Sequence, residues 1–158
     1  MMVTQEHLTR LRSVPVLGGL TDVSLNFLLE QSHLVSKTAG EYFFHEGDAA
    51  QSFYVLVTGI VVIEKQWQSE RLELREMKAD DCFGEMAIID LQSRSASVRA
   101  QEPCAAIEIT RATLHQLFCR ELEQYAILMM NMGREVSRRL RIASDRLFEI
   151  EQTLADTL

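Results

Sequence analysis

Residues 83–98 read FGEMAIIDLQSRSASV, a stretch that places a glycine, a carboxylate and a guanidinium close together. Gly84 allows the backbone to bend sharply into residues 85–89, whose composition favours a helical turn. The N-terminus of such a turn presents free N–H groups and the positive end of a dipole, which suits an anion. Arg94 follows nine residues after Glu85, at the start of a β-type run, and Ser95 adds a hydroxyl beside it. The stretch therefore predicts a site for a phosphate diester that also carries a sugar hydroxyl.

Short β-type runs lie on both sides of this stretch. Turn residues separate them, among them Gly40, Gly47 and Gly59. Many short strands at this spacing predict an α+β fold built on an antiparallel β-roll of jelly-roll type, an architecture that limits exposed sheet edges. The runs cover residues 33–35, 42–44, 53–57, 60–63, 72–74, 95–99 and 105–109.

Helical patterns flank the roll. Before Pro15, apolar residues follow a helical spacing, and Thr21 or Asp22 is expected to cap a second helix that carries Leu25 and Leu28 on one side. We expect these N-terminal helices and the roll to form one unit over residues 1–120, with residues 121–158 as a lid and dimerisation helix of the same domain.

The tail carries an apolar seam of heptad type. Such a helix is longer than a small domain is wide. It could pack on its own core, but a two-helix interface between subunits explains it better. The seam consists of Leu122, Tyr125, Met129, Met132, Val136, Leu140, Ala143, Leu147, Ile150 and Leu154.

The stretch at 83–98 resembles the phosphate-binding cassette of cyclic-nucleotide-binding domains, in which F-G-E-x-A is followed by Arg, a small residue, Ala, Ser or Thr, and Val. The spacing from Glu85 to Arg94 is that of the cyclic-nucleotide-dependent kinases and channels, and is one residue shorter than in the catabolite activator protein. The resemblance covers about residues 10–150. Two turns depart from the family pattern, because residues 78–81 and 90–93 lack the glycine or proline common there. Asn, Asp and similar residues tolerate such turns, so we expect both to form.

The resemblance implies a role for each matching residue. Glu85 would accept a hydrogen bond from the ribose 2′-OH, and Arg94 would pair with the cyclic phosphate. Ile63 and Leu74 would flank the base. Arg75 could reach the base edge, but a solvated strand charge is the expected role. Ser144 matches the residue that reads adenine across a dimer. The implied site is Phe83, Gly84, Glu85, Met86, Ala87, Arg94, Ser95, Ala96, Ile63, Leu74 and Ser144.

Composition limits the partners. The net charge of −7 argues against binding a polyanion. Three cysteines at unrelated spacings favour a reducing cytosol over disulfides or zinc, no run is long enough for a membrane span, and Met1 to Arg12 show no secretory signal. No nucleophile triad, paired carboxylate site or Walker loop is present, so neither an enzyme nor a metal or cofactor site is expected.

Together these features predict a cytoplasmic, non-enzymatic receptor that forms a homodimer and signals to a downstream protein. We expect cAMP as the ligand because of Ser144, although Ser95 is compatible with cGMP. A chain that ends fourteen residues after Ser144 is not expected to bind DNA directly. Two alternatives stay open: a degenerate roll that acts as a dimeric adaptor, and a fragment of a cyclic-nucleotide-regulated transcription factor.

Overall fold

The computed structural model describes the backbone of residues 5–157 and the side chains from residue 8 onward. Part of the segment from Met1 to Arg12, in which no secretory signal is predicted, therefore lies outside the described residues. The chain begins with α1 (Gln5–Leu11), a 3₁₀ turn (Pro15–Leu17) and α2 (Asp22–Glu30). The Thr21 hydroxyl accepts a hydrogen bond from the Ser24 N–H at 3.3 Å, which makes Thr21 the N-cap of α2.

Eight strands follow and form two four-stranded antiparallel sheets. The first sheet has the order β1-β8-β3-β6 and the second the order β2-β7-β4-β5. The predicted fold class is therefore confirmed, although β5 is an edge strand, six of whose eight residues are exposed. The strands are β1 (His33–Lys37), β2 (Tyr42–Phe44), β3 (Ser52–Thr58), β4 (Val61–Trp67), β5 (Glu70–Met77), β6 (Cys82–Phe83), β7 (Ser97–Ala100) and β8 (Cys104–Thr110).

Two hydrophobic clusters hold these elements together. The larger packs the N-terminal helices and the start of the tail helix against the first sheet, with Leu28, Phe53 and Leu128 among its fully buried members. The smaller fills the inside of the roll around Leu56, Phe83 and neighbouring aromatic rings. Apolar side chains therefore fill the roll interior next to the stretch that contains Gly84.

The predicted helical turn after Gly84 forms a short helix, α3 (Met86–Ile89). Two elements have no counterpart in the sequence prediction, strand β6 and helix α4 (Arg111–Arg120). Thr110 caps α4 by accepting from the Thr113 N–H at 3.1 Å, and this capping residue is the signal that could have marked its start.

The tail forms one helix, α5 (Leu122–Thr157), of 36 residues, which corresponds to about 54 Å. Its first part packs on the roll, with Leu128 and Met132 fully buried. Every residue from 141 to 150 is exposed, so the second part has no cover from its own chain.

Candidate functional site

A solvent-open cavity lies inside the second sheet, between β4, β5, α3 and α5. Nine of the eleven predicted site residues line it, all of them except Leu74 and Ser144. The lining consists of Phe44, Ile63, Arg75, Met77, Phe83, Gly84, Glu85, Met86, Ala87, Arg94, Ser95, Ala96, Val98 and Arg139.

Arg94 is a buried cation with few partners. The residue is only 4% exposed, yet among the side chains that the structure describes no carboxylate lies within 4.0 Å of its guanidinium. Its Nη1 donates to the Gly84 carbonyl at 2.9 Å, whereas its buried Nε has no acceptor among the described residues. Burial lowers the pKa of Arg94. A buried charge without a counter-ion is unfavourable, so this arrangement points to an anion that enters the cavity.

Glu85 is the carboxylate of the cavity and is 2% exposed. It stands at the N-cap position of α3 but makes no capping hydrogen bond. Instead, its Oε1 accepts from Arg139 Nη1 at 2.5 Å. This ion pair joins the middle of α5 to the start of α3.

Arg139 is a site residue that the sequence analysis missed. Its Nη2 donates to the Cys82 carbonyl at 2.6 Å and its Nε to Glu135 at 2.8 Å. Burial opposes its charge, but Glu85, Cys82 and Glu135 outweigh burial and raise the pKa of Arg139. Arg139 lies in a run of arginines on α5 that also contains Arg138, whose side chain is 57% exposed, and only the partners of Arg139 in space distinguish the two.

Arg75 also lines the cavity. Its Nε is buried and has no acceptor among the described residues. Burial, followed by repulsion from Arg139, lowers the pKa of Arg75. Arg75 is therefore not the solvated strand charge that the sequence favoured, and its contact with a base edge stays a prediction.

The lining carries an excess of positive charge in a protein whose net charge is −7. Three guanidinium groups (Arg75, Arg94 and Arg139) face a single carboxylate, Glu85, which leaves two positive charges in excess. Within the described residues, no group of three or more His, Cys, Asp or Glu side chains could hold a metal ion. The cavity is therefore suited chemically to an organic anion that also offers a hydroxyl group.

The sequence model described as "Cyclic nucleotide-binding domain" matches residues 34–121, more than half of the chain. The chain belongs to the cyclic nucleotide-binding domain family. The match includes the two sheets, α3 and α4, and thus nearly all of the cavity.

Relatives and a solved structure agree with this family. The "cAMP-activated global transcriptional regulator CRP" of Salmonella typhimurium is 26% identical over 80% of this chain, and the chain spans 60% of its length. The "cGMP-dependent protein kinase, isozyme 1" of Drosophila melanogaster is 33% identical over 59% of this chain and 12% of its own. A crystal structure of a cyclic nucleotide-binding domain from Methylobacillus flagellatus, 20% identical, shares the fold with a TM-score of 0.83 over 90% of this chain and 83% of its own.

Two turns of this cyclic nucleotide-binding domain take a glycine-like backbone without glycine. Asp80 has φ 76° and Leu91 has φ 60°, both in the left-handed region. Asp80 is held there by its N–H bond to the Leu56 carbonyl at 2.8 Å and by an ion pair with Arg10 at 3.0 Å. The expectation that both turns form without glycine is thus confirmed, and for the large residue Leu91 this conformation carries strain.

Leu74 is 45% exposed and does not line the cavity, so its base contact stays a prediction. Arg75 and Met77 line the cavity, and side chains alternate along a strand, so Leu74 lies on the other face of β5. Leu74 is also the extra residue of a β-bulge, because Arg75 pairs with Ile63 and Glu73 with Glu64.

Ser144 lies on the exposed part of α5 and does not line the cavity of its own chain. Because its predicted contact reaches the ligand of a second subunit, it stays a prediction.

Proposed function

We propose that this domain is a non-enzymatic receptor for a cyclic nucleotide. Arg94 carries the proposal, since this buried guanidinium has no counter-ion within the described chain and lines a cavity that also holds Glu85. A cyclic phosphate would supply the missing anion, and a ribose hydroxyl would donate to the carboxylate. The family match and the relatives named for cAMP and cGMP support this ligand class.

The receptor would respond to its ligand through α5. Glu85 is paired with Arg139, so a ribose hydroxyl that binds Glu85 would alter the contact that joins α5 to the roll. A ligand shifts a conformational equilibrium only through its different affinity for the two states. The Glu85–Arg139 pair provides that difference, because it joins the ligand site to the helix that carries the exposed seam.

We favour cAMP as the ligand, because Ser144 matches the family residue that reads adenine across a dimer. One observation on Arg75 keeps cGMP as a second candidate. Arg75 lines the cavity next to Ile63 and has a buried Nε without an acceptor in the described chain. A guanidinium only donates hydrogen bonds, and guanine offers it two adjacent acceptors, O6 and N7, whereas adenine has an amino group beside N7.

We propose a second copy of this chain as the cover of the exposed part of α5. Leu140, Leu147, Ile150 and Leu154 are 56–65% exposed and are spaced seven, three and four residues apart. This is the seam of a two-helix coiled coil. In a parallel pair, Arg146 of one copy would lie across the seam from Glu151 of the other, and their opposite charges would attract. The charges therefore favour a parallel homodimer.

In this proposal residues 1–120 bind the nucleotide and residues 121–158 form the lid and dimer interface. No helix within residues 5–157 has the length and apolarity needed to cross a membrane. A cytoplasmic location, a downstream protein partner and the lack of direct DNA binding stay predictions of the sequence.

Thermal unfolding of the chain with and without cyclic nucleotide tests the receptor proposal. A ligand at a hundred times its Kd adds about 2.7 kcal/mol, which raises the Tm of a protein of this size by about 5–11 °C. The variant Arg94→Met replaces an uncompensated buried charge by an apolar side chain of similar length, so we expect its ligand-free stability within about 1 kcal/mol of the wild type. Its Tm should not respond to nucleotide.

The outcomes separate the alternatives. No rise in Tm for the wild type with either cAMP or cGMP would favour the adaptor that binds no nucleotide, and an equal rise in Arg94→Met would place the ligand elsewhere. Competition calorimetry with the two nucleotides then decides the base. If Arg75 reads guanine, Arg75→Ala weakens cGMP more than cAMP; an equal effect on both removes the case for cGMP.

A further inference from the structure

Arg94 lies against an aromatic ring of β2. The Cζ atom of its guanidinium is 3.9 Å from the centroid of the Phe44 ring and 5.9 Å from that of Tyr54. Phe44 and Tyr54 are 9% and 7% exposed, so both rings meet the guanidinium away from bulk water. The face of an aromatic ring attracts a cation, and the attraction is strongest where water is excluded.

Gly84 completes this arrangement. A Cβ atom at position 84 would lie 2.5 Å from Arg94 Nη1 and 3.2–3.3 Å from two carbon atoms of the Phe44 ring. The backbone of Gly84, the guanidinium and the ring are therefore in mutual contact, and the Gly84 carbonyl accepts the hydrogen bond of Nη1. These contacts leave the guanidinium little room to take another position.

The kind of contact matters for a ligand-binding cation. A carboxylate partner would hold the guanidinium equally well, but it would neutralise the charge and compete with an incoming phosphate. A ring face holds the cation while the charge stays available. The neighbouring arginine of the cavity, Arg139, shows the opposite case, since Glu85 and Glu135 already pair with it.

We propose that Phe44 is a positioning residue for Arg94: its ring holds the guanidinium in the cavity, ready for an anion, in place of a carboxylate counter-ion. The inference rests on the proposed function for its ligand, a cyclic phosphate. Phe44 acts through Arg94, and its effect is therefore expected in the part of the affinity that depends on the phosphate.

The adjacent residue gives a matched control. Phe43 packs edge-on against Tyr54 and Phe83, with ring centroids 5.4 Å and 5.1 Å apart, and belongs to the same aromatic cluster. Unlike Phe44, it has no recorded contact with the Arg94 guanidinium in the described chain. Phe43→Leu thus measures the loss of aromatic packing, together with a contact to Lys37 Nζ at 6.0 Å that does not involve the cavity.

The affinity experiment uses calorimetry on the full chain with the nucleotide that the wild type binds better. We expect Phe44→Leu to weaken binding about tenfold to thirtyfold, Phe43→Leu less than about threefold, and Phe44→Tyr to restore binding to within about threefold of wild type. Urea unfolding of each variant separates the two explanations, because a purely structural role makes affinity follow stability. Equal losses in Phe44→Leu and Phe43→Leu, or a failure of Phe44→Tyr to rescue a folded protein, would overturn the inference.

A second measurement needs no ligand. The NMR ¹H–¹⁵N signal of Arg94 Nε is recorded without nucleotide and is assigned by its loss in Arg94→Met. It should show a rigid side chain in the wild type and in Phe43→Leu, and a mobile one in Phe44→Leu. A mobile signal in the wild type contradicts the positioning role directly. A rigid signal in a wild type that binds neither nucleotide contradicts the proposed function instead, so the two failures can be told apart.

Discussion

Replacing Arg139 by Gln removes the contact that joins α5 to the ligand site. The side chains of Arg139 and Glu85 are 11% and 2% exposed, and Arg139 Nη1 lies 2.5 Å from Glu85 Oε1. Breaking a buried pair by removing one partner costs about 3–5 kcal/mol. Because the cavity beside Glu85 is open to solvent, water can partly replace the lost cation, and we expect the lower end, about 3 kcal/mol. For a protein of this size that is a fall in Tm of about 6–12 °C.

Arg138 offers a matched control on the neighbouring position. It pairs only with Glu135 among the described residues, at 2.7 Å, and its side chain is 57% exposed. Arg138→Gln should therefore cost less than about 1 kcal/mol. Both variants have the same chemistry and helix propensity, so the difference between them reports the buried contacts of Arg139.

Urea unfolding followed by circular dichroism measures these free energies, at one protein concentration because dimerisation would contribute to stability. The double variant with Glu85→Gln completes a cycle, for which we expect a coupling energy of about 1.5–3 kcal/mol between positions 85 and 139. The reasoning is refuted if Arg139→Gln is no more destabilising than Arg138→Gln, or if the two single effects add to within about 0.5 kcal/mol.

Three further perturbations test other parts of the structure. Gly84→Ala introduces a Cβ 2.5 Å from Arg94 Nη1 at a φ of +80° and should abolish nucleotide binding in calorimetry. The control Gly40→Ala, at a φ of +90° with nothing within 4 Å, should lower the free energy of unfolding by only about 1 kcal/mol and leave binding intact. Binding by Gly84→Ala at wild-type affinity would contradict the geometry. The hydrogen bond from Arg138, outweighing burial, lowers the pKa of Glu135, so the stability that its ion pairs add is complete above its ordinary value of 4.5 and is lost as the pH falls through the lowered value. The difference in unfolding free energy between wild type and Glu135→Gln should therefore shrink in acid, and a difference as large at the lowest pH at which both proteins fold as at neutral pH would count against it. Leu147→Lys should give a folded monomer by light scattering if α5 forms the homodimer, and a dimer of unchanged mass would point to another interface.

The sequence was sufficient for the parts of the fold that depend on local patterns. Alternating apolar residues predicted most of the strands, the heptad spacing predicted α5, and Thr21 marked the start of α2. In the site, nine of the eleven predicted residues line one cavity, because most of them are consecutive in the chain and are held by a single turn at Gly84. Local sequence determines such a group wherever the turn forms.

Only the tertiary structure decided the contacts between distant segments of the chain. Arg139 meets Glu85 across 54 positions of sequence, and Phe44 lies against Arg94 from another strand, so neither contact has a pattern in the chain that marks it. Which residues of β5 line the cavity depends on the pairing of β5 with β4, where Arg75 lies opposite Ile63 and an extra residue at Leu74 shifts the register beyond that pair. Side chains alternate with a period of two, so one extra residue in a strand changes which face each neighbour takes, and only the pairing of the folded strands determines where that residue falls.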